Sequence, residues 1–226
     1  MDLYYALTPY QLLSVVLHKM TLNDNKAVLY ISDIMRNSDQ IFTRLKKTKV
    51  FENVEIFPDK KILSERHRVA TDFSATDFNI QKNNEIVLAN CHEMDIYDNY
   101  YVCADHFPLG IYYNSCNTPY NFFEEGNGQQ SKSDVTIEHT IKETDPFLYP
   151  IVVELGLFGR NDNVINRYID MRSQREGYED DKAIDFCISD ILRNKLSKKN
   201  KSDLRIIFDF VQPKITAENS IIFLPQ

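Results

Sequence analysis

The chain has 226 residues, 43% of them hydrophobic and 26% charged, proportions that exclude a disordered chain, a collagen-like repeat and a bundle of membrane helices. Twenty-six Lys and Arg against thirty-three Asp and Glu leave a net charge of −7, which argues against a broad nucleic-acid footprint. Cys91, Cys103, Cys116 and Cys187 show no C-x-x-C spacing, which excludes a zinc ribbon or a thioredoxin-type pair and fits reduced thiols in a cytoplasm.

The N-terminus carries Asp2 where a signal peptide carries lysines, and no apolar run approaches the ~18 residues of a membrane span, so the expected location is cytoplasmic. Leu3–Leu7 reads as a short buried strand. Thr8 at the cap and Pro9 at the first helical position then open a helix whose Leu12, Leu13, Val16 and Leu17 share one face. Ala27–Ile31 is a second continuous apolar run, followed by Ser32-Asp33 and a helix through Gln40–Lys47, and Val54–Phe57 is a third strand. Strands that are apolar throughout, alternating with helices, predict an α/β fold: a Rossmann-like parallel sheet covered on both faces.

Further β-prone runs at Glu85–Ala89, Tyr100–Ala104 and Tyr120–Phe123 bring the expected sheet to six strands. Beyond them Pro146–Phe158 and Asp181–Leu196 read as helices, and Arg205–Val211 and Ser220–Leu224 as strands. The expected organisation is a Rossmann-like domain over residues 1–215, with 216–226 forming a linker and the first strand of a second domain.

Three motifs fall where a parallel sheet presents its ligand-binding edge, at the carboxyl ends of strands. In Glu124-Glu125-Gly126-Asn127-Gly128, adjacent carboxylates repel each other, which favours a general base suited to neutral pH, and the glycines permit close backbone approach. Thr8-Pro9-Tyr10-Gln11 sits at a helix N-terminus, where free N–H groups attract hydroxyls or anions. Asp105-His106 follows the Tyr100–Ala104 run onto the same edge. Each motif also has a plain structural reading: a solvated turn, a helix start and an Asp-His turn. The sequence contains no Asp-x-Asp, G-x-G-x-x-G, P-loop or G-x-S-x-G motif, which disfavours metal-dependent sugar-nucleotide transferases, dehydrogenases, P-loop NTPases and serine hydrolases. Two basic clusters, one of Lys60, Lys61, Arg66 and Arg68 and one of Arg193, Lys195, Lys198, Lys199 and Lys201, read as solvated surface or as a peripheral contact with anionic membrane.

A first strand ending in T-P-x-Q (Thr8, Pro9, Gln11) and a later strand ending in acid-acid-Gly (Glu124, Glu125, Gly126), without Asp-x-Asp, resemble bacterial sialyltransferases and polysialyltransferases of the GT-B fold. These include the lipooligosaccharide group, glycosyltransferase family 52. The resemblance covers the first ~130 residues. It implies the acceptor-side domain of an inverting, metal-independent glycosyltransferase, with no cofactor and with CMP-sialic acid as donor. Sialic acid would pass to a lipooligosaccharide or capsular glycan at the inner face of the membrane. Glu125 or Glu124 would be the base, and Thr8, Pro9, Gln11, Asp105, His106, Gly126, Asn127 and Gly128 would hold the acceptor. Expected partners are therefore a sugar nucleotide and a glycan, not nucleic acid. The family's His-Pro dipeptide, which belongs to its second domain and assists the donor phosphate, does not occur in this sequence, so this chain by itself is expected to be inactive. The rival readings are a non-catalytic glycan-binding or assembly subunit of a polysaccharide pathway, and a different enzyme on a similar sheet, such as an epimerase or hydrolase.

Overall fold

Seven short runs become strands: β1 (Asp2–Ala6), β2 (Ala27–Ser32), β3 (Asn53–Phe57), β4 (Asn99–Val102), β5 (Tyr120–Phe123), β6 (Val164–Ile169) and β7 (Ala183–Asp185). All pair in parallel, in the order β3-β2-β1-β4-β5-β6-β7. The chain builds outward from β1 through β2 and β3, then crosses back to lay β4 on the other side of β1. This is the strand order of a doubly wound Rossmann-like sheet, whose topological switch point lies between β1 and β4. The computed structural model describes residues 1–69, 76–91, 97–124, 134–174 and 178–210; the expected linker and strand at 216–226 lie outside the described residues.

Helices cover both faces. Alternation along each strand sends Tyr4 and Ala6 to one face and Leu3 and Tyr5 to the other. On the first face lie α1 (Pro9–Thr21), α2 (Ser38–Thr48), the short turn α8 (Ile188–Asp190) with the π-helical turn Ile191–Lys195, and α9 (Lys198–Ile207), through Leu12, Val16, Ile41, Leu45, Ile191 and Leu204. On the second lie α3 (Asp59–Val69), α4 (Thr76–Asn90) and α5 (Pro108–Ser115), through Ile62, Val87 and Leu109. Outside these, α6 (Asp134–Thr144) and α7 (Leu148–Leu155) add a smaller cluster around Ile111, Phe147 and Ile151. No helix among the described residues is long and apolar enough to cross a membrane.

Three expected elements change type. Glu85–Ala89 is the last part of helix α4, where Asn79, Asn83 and Val87 recur every four residues on the buried face and Leu88 is 50% exposed. Arg205–Ile207 ends helix α9 instead of forming a strand, because Leu204 and Ile207 are buried three residues apart while Ile206 between them is 40% exposed. Asp181–Leu196, expected as one helix, splits into β7 and the turns that follow it. Strand β6 has no counterpart among the expected elements, since Asn166 and Arg167 interrupt its apolar pattern. Both are paired, Asn166 with the Asn121 side chain at 2.9 Å and Arg167 with Asp180 at 2.8 Å.

Arg66, read from the sequence as a surface cation, is only 3% exposed. Its guanidinium stacks on Phe147 at 4.9 Å, while Nε and Nη1 have no hydrogen-bond partner. Burial pulls its pKa down to about 10, and Asp145 and Asp59 offset that only partly. A buried charge whose hydrogen-bonding capacity is not met costs free energy, and an apolar side chain of similar length removes that cost. Arg66→Met is therefore expected to keep or raise the thermal midpoint in scanning calorimetry. A clear fall would show that the guanidinium is held by more than the Phe147 ring.

Candidate functional site

The carboxyl ends of β1, β4, β5 and β6 are neighbours in the sheet, so the residues that follow them share one rim. At β1, Thr8 caps α1: its Oγ1 accepts from Gln11 N at 3.2 Å, and Gln11 Oε1 accepts in return from Leu7 N and Thr8 N at 2.9 and 3.1 Å. Thr8 and Pro9 are exposed. Gln11 is buried, and its Nε2 reaches across the switch point to Cys103 O at 3.5 Å. The Gln11 carboxamide thus serves the backbone of β1 and β4, and Thr8 and Tyr10 are the side chains of this motif that face outward.

At the end of β4, Asp105 is fully buried. Its carboxylate accepts from Tyr120 Oη at 2.7 Å and from the amides of Phe158 and Gly159, each at 2.8 Å. Burial pushes its pKa up, while these donors act in the opposite direction. Asp105 therefore ties β4 to β5 and to the turn leading to β6, and is not presented to a ligand. His106 stacks on Phe158 with ring centroids 4.4 Å apart.

On the same rim, Glu124 directly follows β5; it is buried, 7% exposed, and its carboxylate accepts from Gln174 Nε2 at 3.0 and 3.2 Å and from Asp170 N at 3.3 Å. Tyr10, 47% exposed, faces the same charges: burial first, then Glu124 and Asp170, pushes its hydroxyl pKa up. Gln174 Oε1 is buried and accepts no hydrogen bond, so an unused acceptor lies beside the carboxylate. Asp170 is in turn held by Arg172 at 3.0 Å. Glu125, Gly126, Asn127 and Gly128 lie outside the described residues.

The structure thus brings Thr8 and Glu124 to one rim, turns Gln11 and Asp105 inward, and adds Tyr10, Asp170 and Gln174. The last two were not singled out because they follow β6, whose polar centre hides it as a strand. Among the described residues no group of three or more His, Cys, Asp or Glu side chains could hold a metal ion. No protein-family model matches the chain, and comparisons with curated proteins and with solved structures give no match.

Two buried titratable groups lie elsewhere in the sheet layers. Asp59, after β3, accepts from Tyr5 Oη at 2.7 and 2.8 Å, and burial pushes it up to about 7 although Ser32 and Tyr5 hydrogen-bond to it. His18, on α1 below Tyr4, is pushed down to about 4 by burial. A raised acid is stable in the fold below its unfolded pKa, and that stability is lost as pH rises toward about 7. A depressed His contributes stability above its unfolded pKa that is lost as pH falls toward about 4. The two therefore oppose each other across the same window and flatten the stability profile. Asp59→Asn removes one of them: the difference in unfolding free energy between variant and parent is expected to grow from pH 4 to pH 7 and then level off, by on the order of 4 kcal/mol. A difference independent of pH in denaturant titrations would show that Asp59 ionises normally in the fold.

Proposed function

We propose that this chain is the acceptor-side domain of an inverting, metal-independent glycosyltransferase that moves sialic acid from CMP-sialic acid to a lipooligosaccharide or capsular glycan. The observation that carries the reading is the Glu124 carboxylate, fixed by Gln174 and the Asp170 amide on the same rim as the exposed Thr8 and Tyr10. A glycan acceptor needs hydroxyl-binding groups around a base, and this rim offers the exposed Thr8 and Tyr10 hydroxyls.

In this reading the base takes the proton of the acceptor hydroxyl as its oxygen bonds to the anomeric carbon. The glycosidic C–O bond to phosphate breaks, and CMP leaves with the electron pair. Glu124 is committed to two donors, which suits it to hold the rim, and this assigns the proton transfer to its neighbour Glu125.

The test is turnover by the full-length protein, followed as CMP release with an oligosaccharide acceptor. Glu125→Gln keeps size and hydrogen bonding but cannot take the proton, so kcat should fall about 10²–10⁴-fold with KM little changed. Glu124→Gln should mainly raise KM. The opposite pattern makes Glu124 the base. If neither variant alters turnover, or if the full-length protein binds glycan without releasing CMP, the enzyme reading fails and a glycan-binding subunit takes its place.

A further inference from the structure

Charge is distributed very unevenly over this chain. Segments 43–49 and 193–205 together hold ten Lys and Arg and a single acid, Asp203, whereas the remaining residues hold sixteen Lys and Arg against thirty-two acids. An acidic protein therefore carries a concentrated positive region, drawn from two parts of the sequence about 150 residues apart.

The fold makes these segments one surface. Helices α2 and α9 pack side by side on the same face of the sheet, joined by Arg44 and Asp209 at 3.0 Å. Lys49 and Lys199, with Lys19 and the acids Asp24 and Asp203, line a shallow cleft of about 290 Å³. Lys46 and Lys49, with Glu52, line a neighbouring one of about 310 Å³. Lys47, Lys198, Lys199 and Lys201 are exposed and form no ion pair among the described residues. An apolar side chain accompanies them: Leu22, between Met20 and Asp24 of the first cleft, is exposed.

The position of this surface matters as much as its charge. Helix α2 leaves the carboxyl end of β2 and ends just before β3 begins, so Lys46, Lys47 and Lys49 lie at the amino-terminal edge of the sheet. The acids Asp33, Asp59, Glu124 and Asp170 follow the opposite ends of their strands, a strand length of about 20 Å away.

We propose that the α2–α9 surface docks this protein on an anionic lipid bilayer, with the acidic rim turned away from it. Seven of the ten cations are lysines, suited to diffuse attraction by a charged surface more than to the paired recognition of single phosphates that arginine favours. A bilayer is planar and meets only this edge, whereas a nucleic acid extending past the patch would meet the acidic body. Leu22 supplies apolar contact at the headgroup level. None of this depends on the reaction carried out at the rim.

The test is co-sedimentation of the intact protein with vesicles of phosphatidylcholine alone or mixed with phosphatidylglycerol. Binding is expected only to the mixed vesicles, and to be lost in high salt. Lys198→Glu with Lys199→Glu should lower the partition coefficient at least about tenfold. Both residues lie in the first turn of α9, where acids favour the helix dipole, so the variant should fold, and its melting curve checks this. Lys60→Glu with Lys61→Glu makes the same charge change in the first turn of α3 and should leave binding unchanged. The proposal is overturned by equal binding to both vesicle types, by no binding to either, by capture of a nucleic-acid duplex in place of vesicles, or by equal losses in the two charge-reversed variants.

Discussion

The buried Asp105 carboxylate holds the carboxyl edge of β4, β5 and β6 together. Strand β4 ends there, β5 reaches it through the Tyr120 hydroxyl, and the turn before β6 reaches it through two amides. Close backbone approach makes this possible. A Cβ at Gly110 would stand 2.3 Å from the Asp105 backbone, and Gly159, at φ +73°, brings its backbone against the Phe122 ring, where a Cβ would come within 2.5 Å. Tyr120 Oη is completed by Asn161 at 2.7 Å and Asn114 at 3.2 Å, and Arg167 on β6 donates to Gly159 O. A buried carboxylate without such donors would be costly; with them it fixes the alignment of three strands whose ends carry Glu124 and Asp170.

A second constraint lies on the other face of the same strands. Tyr4 and Tyr101 stack at 4.4 Å, Phe123 and Tyr168 at 4.9 Å, and His18 packs against all four rings. His18 Nδ1 hydrogen-bonds with Tyr4 Oη, which accepts from Asn23, and Asn23 also donates to the buried Asp2. Four adjacent strands, β1, β4, β5 and β6, thus share one aromatic layer beneath the rim. The rim residues follow directly from strands that this layer packs together.

The sequence made the first half of the sheet legible because β1 and β2 are apolar on both faces, β3 carries Val54, Ile56 and Phe57, and helix-length segments separate the three. It misled where an apolar run was long enough for either structure: Glu85–Ala89 and Arg205–Ile207 are β-prone in composition but helical in spacing. It was silent at β6, where Asn166 and Arg167 find partners that a pattern of hydrophobicity does not reveal. The site followed the same logic. Parallel topology alone puts Thr8 and Glu124 on one edge, so that placement was readable. Whether Gln11 and Asp105 face a ligand or the backbone depends on tertiary partners, Cys103 for one and residues 158–159 for the other, and those became visible only with the fold.

The most direct measurement of the central claim is amide chemical-shift mapping of the full-length protein titrated with a lipooligosaccharide-derived oligosaccharide. The rim reading predicts perturbations at Thr8, Tyr10, Glu124, Asp170 and Gln174, with little change along α2 and α9. Shifts concentrated away from the carboxyl ends of β1, β5 and β6, or no shifts at saturating acceptor, would contradict it.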